Sequence, residues 1–158
     1  MKYSQLGTQL RHLLELLDGD VAESYKKCGL GNYKPRYTPV MRALMHKGDV
    51  TISEVVASTN ISQPAVSQTV KDMIKQGLVR VSSGEDARER KIRLTRKGSA
   101  LIPGLRQQWV ATLEAEKSLN AELSVSLPEL LGDAIRALEK RSYLARMQQN
   151  TLMEDGDD

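Results

Sequence analysis

The chain of 158 residues has no phenylalanine, one tryptophan and one cysteine. A lone thiol, Cys28, cannot close an internal disulfide, and with only His12 and His46 to join it no zinc cluster can be assembled. No metal or cofactor is expected. Apolar runs are also short. None approaches the ~18 to 20 residues of a membrane-spanning helix, and the opening MKYSQLGTQLRHLLELLDGD lacks a basic region followed by an apolar core. The expectation is a soluble, cytoplasmic protein with no membrane partner. Catalytic groupings are scarce too: no nucleophile–base pair and no Gly-rich phosphate loop can be found. An enzyme is not expected.

What is present is a globular composition, 40% hydrophobic and 27% charged, sufficient for one core-bearing domain with appended helices. The net charge of +3 hides a gradient along the chain. Residues 34–100 hold 13 basic and 6 acidic side chains, a net of +7, while residues 101–158 hold 6 and 10, a net of −4. A basic middle suits a polyanionic partner, although unequal charge between helices is also common without one.

Leu6, Leu10, Leu13, Leu14, Leu17, Val21 and Tyr25 recur three and four apart, which predicts a long amphipathic helix over 3–28, stopped by Gly29 and Gly31. Thr38 as a cap with Pro39 behind it starts a short helix that ends at Gly48. A second short helix follows, capped by Thr51 or Ser53 and burying Val55, Val56 and Ala57. A third runs from the cap Ser62 to Gly77, with Val66, Val70, Met73 and Ile74 as its apolar face. LVRVSS and KIRLT are strand-like and flank the charged GEDARER, a hairpin whose Ile92 and Leu94 point to the core. Beyond Lys97 two leucine stripes, broken once around Ser124 to Pro128, are expected to be helical.

Three short helices and a hairpin within about 60 residues is the order of a winged helix-turn-helix, whose third helix enters the major groove. Its exposed face has the chemistry for that. Gln63 and Gln68 can pair with adenine edges, Ser62 and Ser67 can donate or accept, Pro64 and Ala65 can meet a thymine methyl, and Lys71 can reach phosphate or guanine. The same residue types also occur on any solvated helix face, so the helix alone leaves both readings open.

The longer pattern is more specific. S-x-x-x-V-S-x-x-V-x-x-M-x-x-x-G-L-V is followed by D-x-R-x-x-x-I-x-L-T-x-x-G, on which Asp86, Arg88, Ile92, Leu94, Thr95 and Gly98 fall. Over residues 38–98 the chain resembles the DNA-binding core of the MarR (multiple antibiotic resistance regulator) family of bacterial transcription factors. The resemblance implies a mostly α fold with a small β-hairpin wing, a winged helix-turn-helix domain embedded in a helical dimerisation domain. Residues 34–99 would form the winged domain, 1–33 and 100–148 the dimerisation region, and 149–158 a disordered acidic tail.

The resemblance further implies a homodimer on a pseudo-palindromic double-stranded operator, acting as a repressor released by a small aromatic ligand. The leucine stripes agree, since a winged domain could not cover them, although they could also pack within one monomer. By the same resemblance Arg88 enters the minor groove with Asp86 positioning it, and Arg90 and Lys91 contact phosphate. Glu85 and Glu89 depart from the more basic wings of relatives. His12, Tyr33, Arg36, Tyr37 and Trp109 are the candidates for an aromatic ligand site, against the plainer reading that they pack and hydrogen-bond. Cys28 lies at the end of the first helix, where peroxide-sensing relatives do not carry their reactive cysteine, so a plain buried thiol is expected. The alternative to a DNA-binding regulator is a winged-helix protein-interaction module that binds an acidic partner.

Overall fold

In a computed structural model, residues 4–59, 61–83 and 90–154 are described. They form eight helices and one hairpin, and divide into two compact units, Met1–Thr112 and Leu113–Asp158.

In the first unit, α1 (Leu6–Lys27) carries its leucines outward: Leu6, Leu10, Leu14, Leu16 and Leu17 are all exposed. Only its C-terminal end, from Val21 to Tyr25, joins the core. A single 3-10 turn, Pro35–Tyr37, then winds directly into α2 (Thr38–Lys47), so Thr38 is already helical and Tyr37, not Thr38, occupies the cap position. Gly48, at φ 82°, ends α2 in backbone geometry that residues with a Cβ rarely adopt. Helix α3 (Ile52–Thr59) begins with a capping box. Thr51 Oγ1 accepts from the Glu54 amide at 3.2 Å, and the Glu54 carboxylate accepts from the Thr51 amide at 2.8 Å. Val55 is buried and Val56 partly so, whereas Ala57 is exposed.

Helix α4 (Gln63–Lys75) has Ser62 at its cap and ends in a Schellman turn, with Leu78 N donating to Met73 O at 2.9 Å and Gly77 N to Ile74 O at 2.9 Å. Val66, Val70 and Met73 are its buried face. Ile74, expected to join them, is 39% exposed, because a period of 3.6 residues carries it around toward solvent.

Strands β1 (Val79–Ser83) and β2 (Arg90–Leu94) pair antiparallel, with Val81 opposite Ile92. Ile92 also exchanges both backbone hydrogen bonds with Val50, at 3.1 and 2.7 Å, which ties the hairpin to the entry of α3. Arg93 reinforces that tie by forking onto the Asp49 carboxylate. The core of this unit runs from Tyr25, Tyr33 and Tyr37 through Met41, Val55 and Met73 to Ile92, and closes against Leu105 of α6 (Ile102–Ala121).

The chain beyond Lys97 breaks three times, more often than its leucine stripes suggest. Helix α5 (Arg96–Ala100) stops at Leu101, just ahead of Pro103, which is accommodated in the first turn of α6. In the second unit α6 ends at Ala121, and α7 (Leu127–Lys140) starts where the Leu127 amide donates to Asn120 Oδ1 at 3.1 Å. Arg141 is extended, and Ser142 Oγ accepts from the Ala145 amide at 3.1 Å to begin α8 (Tyr143–Glu154). Among the described residues of this unit none is buried, and Leu130, Ile135, Leu138, Leu144 and Met147 are exposed. Among the described residues, no helix is long and apolar enough to cross a membrane.

Candidate nucleic-acid interface

Helix α4 presents Gln63, Pro64, Ala65, Gln68, Lys71 and Lys75 to solvent, with Ser62 exposed at its cap and Ser67 half-buried. This is the face opposite Val66, Val70 and Met73, so the residues singled out for reading bases lie together on one surface and the buried side fixes its direction. The uncharged end comes first and the two lysines follow, an order that sets hydrogen-bonding groups at one end of the face and phosphate-seeking charges at the other. On the hairpin Arg90 is exposed and Lys91 half-buried. Asp86 and Arg88 lie outside the described residues, as do Glu85 and Glu89.

The base of the wing explains the L-T-x-x-G pattern. Thr95 Oγ1 accepts from the Gly98 amide at 3.0 Å and donates to the Gly77 carbonyl at 2.6 Å, so one hydroxyl caps α5 and binds the end of α4. Gly98 is required by proximity: a Cβ there would lie 2.1 Å from the Leu78 carbonyl oxygen.

A second cluster ties α4 to the segment ahead of α2. Three donors converge on Oδ2 of Asp72: Lys34 Nζ at 2.7 Å, the Tyr37 hydroxyl at 2.7 Å, and the Arg36 guanidinium. These partners, Lys34 first, hold the Asp72 carboxyl well below the usual carboxylate range. Burial, followed by donation to Asp72, raises the Tyr37 phenol above its ordinary value. Nothing in the sequence pattern marks this cluster. Asp72 is one acid on a solvated helix, separated from its partners by more than thirty residues.

The five residues expected to form an aromatic ligand site are not gathered around one opening. Tyr33 and Tyr37 are buried, and the Tyr33 ring meets Tyr25 and Tyr37 edge to face at centroid separations of 5.1 and 5.5 Å. Trp109 is half-buried on α6 with the Arg42 guanidinium 4.9 Å from its ring centroid, and its indole N–H, though buried, has no partner among the described residues. His12 is exposed on α1. Arg36 alone of the five lines an open groove of about 530 Å³ between α1 and the Lys34–Arg36 segment, bordered by Arg11, Glu15, Asp18 and Lys34. Cys28 is exposed rather than buried, and its sulfur accepts from the Gln108 amide at 2.8 Å.

A helix-turn-helix whose second helix carries a polar, basic outer face, followed by a hairpin docked on the domain, defines a winged helix-turn-helix protein. The family comparison narrows this class. Residues 32–89 are similar to the MarR family model.

Solved structures extend the likeness in fold beyond that segment. The transcriptional regulator MOSR of M. tuberculosis, in complex with DNA, matches with a TM-score of 0.63 at 20% identity, over 84% of this chain and 92% of that one. The organohalide-sensing regulator RdhR in its ligand-free form matches with a TM-score of 0.65 at 17% identity, over 87% and 79%. Wild-type MarR from E. coli matches with a TM-score of 0.53 at 14% identity, over 87% and 98%. No curated protein sequence matches the chain. The fold is thus that of MarR-family transcriptional regulators.

Proposed function

We propose that the protein is a dimeric, sequence-specific DNA-binding regulator, a repressor that leaves its operator when a small aromatic ligand binds. The observation that carries this reading is the outer face of α4, where Gln63, Gln68 and Lys71 stand exposed and Ser67 half-buried, together with the exposed Arg90 at the start of β2. Glutamine side chains at that position suit adenine edges, and the lysine suits phosphate or guanine. A wing arginine, Arg88, reaches the minor groove with Asp86 as its positioning partner, and Arg90 and Lys91 add phosphate contacts. The relative solved with DNA supports the same mode of binding.

Dimerisation is favoured by the exposed leucines of α1 and α7, which make apolar surface of the kind that monomers rarely leave uncovered. Two-fold symmetry then makes the operator pseudo-palindromic, with half-sites one helical turn apart, about 34–36 Å. A ligand step is favoured by the groove along α1, and the RdhR structure with bound 2,4-dichlorophenol supports a phenolic ligand. Arg11, Lys34 and Arg36 along the groove suit an anionic one.

Selection of bound duplexes from random DNA, followed by titration at controlled salt, tests the proposal. A reproducible half-site sequence bound by two protomers is expected. Binding without sequence preference, with no loss on Arg88→Ala, would sink it.

A further inference from the structure

We propose that Asp49 is a positioning residue of the wing: by holding Arg93 it sets the angle at which the hairpin leaves the domain, and with it the reach of the wing's arginines to DNA. The inference rests on the DNA-binding reading above and adds to it what aims the wing.

Among the described residues the wing is a ribbon of two strands, and such ribbons twist more than wider sheets. On its outer edge β2 is tied to the turn between α2 and α3 by one pair of backbone hydrogen bonds, Ile92 with Val50. One such pair resists sliding but leaves rotation about itself. The fork between Arg93 and Asp49 adds a second point of attachment one residue along. Arg93 Nε donates to Asp49 Oδ1 at 2.8 Å, and a terminal nitrogen of the same guanidinium donates to Oδ2. Two parallel, charge-assisted bonds are directional, and two points of attachment fix an angle that one does not.

The charges around the fork explain why a carboxylate is needed there. Arg80 stands opposite Arg93 in the strand register, a like-charge pair that disfavours the placement of both side chains. Asp49 sits beyond the other edge of β2, and Arg93, ahead of Lys91 and Arg80, holds its carboxyl below the ordinary value. Without that negative charge Arg93 is left between a repelling neighbour and the phosphates of bound DNA.

The side chains of the pair are 49% and 29% exposed, so the pair contributes little to folding stability. Its effect is on direction. From Arg93 back to Arg90 the strand runs about 10 Å at ~3.4 Å per residue, so a swing of about 12° at the fork displaces Arg90 by about 2 Å. That exceeds the tolerance of a hydrogen bond to phosphate. A partly exposed ion pair biases an orientation by about two- to fivefold, and a duplex engaged by both wings of a dimer squares the factor to about 4- to 25-fold.

The test uses the full-length protein, with anisotropy on a duplex selected from random DNA and on random duplex over a series of salt concentrations. Asp49→Asn is expected to lower the selected-to-random affinity ratio by about 4- to 25-fold. Affinity for random duplex should stay level or rise, since losing a negative charge cannot weaken attraction to phosphate. Arg93→Gln is expected to lower the ratio by a similar factor, and the double variant by no more than either single. Urea midpoints should stay close to wild type, which a purely structural role would not allow.

If Asp49→Asn does not fold, Arg93→Gln carries the test by the same ratio. The proposal is overturned if Asp49→Asn keeps the wild-type ratio or if the two single losses multiply in the double variant. It is also overturned if Arg93→Gln weakens both duplexes alike with a salt slope shallower by about 0.9, the mark of a phosphate contact. A wild-type protein that prefers no duplex would instead overturn the DNA-binding reading beneath it.

Discussion

The carbonyl oxygen of Leu78 stands 2.1 Å from the place a Cβ on Gly98 would take. That closeness joins the end of α4 to the start of α5, and Thr95 closes the same joint by bonding both the Gly77 carbonyl and the Gly98 amide. Gly98→Ala must push backbone rather than a flexible side chain, so a loss of at least about 1–3 kcal/mol is expected, measured by urea unfolding. Gly19→Ala is the control. Its Cβ meets nothing within 4 Å in a helix interior, so it should gain about 0.5–1 kcal/mol.

The Asp72 cluster predicts a pH dependence. Its carboxyl is held below the ordinary value in the folded protein, so the unfolded chain binds more protons between the two values. The stability it contributes is complete above the unfolded pKa of about 4 and is lost as pH falls through the lower folded value. Urea midpoints of wild type and Asp72→Asn should therefore differ by a constant amount above about pH 5 and converge in acid. A gap that widened below about pH 4 would contradict the assignment.

Tyr37→Phe isolates one donor of that cluster. The hydroxyl donates to a charged acceptor from a ring that is fully buried, so its removal should cost about 1.5 kcal/mol. Tyr33 is a useful contrast: its hydroxyl stands 3.4 Å from Thr38 Oγ1, near the limit of a hydrogen bond, and Tyr33→Phe should cost less. Denaturant titration of both variants checks the order.

Glu85 and Glu89 fall in the sequence between the two strands of the hairpin. Replacing Glu85 and Glu89 by Gln should tighten DNA binding and steepen its salt dependence, since each phosphate engaged adds about 0.9 to the slope of log K against log salt. An unchanged slope would mean that the two acids only keep the tip soluble.

Most of the winged domain could be read along the chain because its signals are local. Gly48 and Gly77 mark helix ends by their positive φ, Thr51 and Glu54 stand at capping-box spacing, and Ile92 falls on the buried side of an alternating strand. Within α4 the exposed set Gln63, Gln68 and Lys71 followed from the helical period alone. What could not be read was non-local. Asp72 with Lys34, and Asp49 with Arg93, pair residues far apart in sequence, and no short-range pattern connects them. Tyr33 and Tyr37 were legible as residues that could pack, but not the ring Tyr33 packs on, because only folding brings Tyr25 alongside it. The breaks at Leu101 and Arg141 were hidden by leucine spacing that continues across them.

The most direct test of the account compares wild type with a Gln63→Ala, Gln68→Ala double variant on a selected duplex and on random duplex, by anisotropy at fixed salt. If the face of α4 reads bases, wild type prefers the selected duplex. The double variant should then lose that preference by about 30-fold or more while holding random duplex unchanged, each bidentate pair contributing about 1–3 kcal/mol. A preference that survives both substitutions would contradict it.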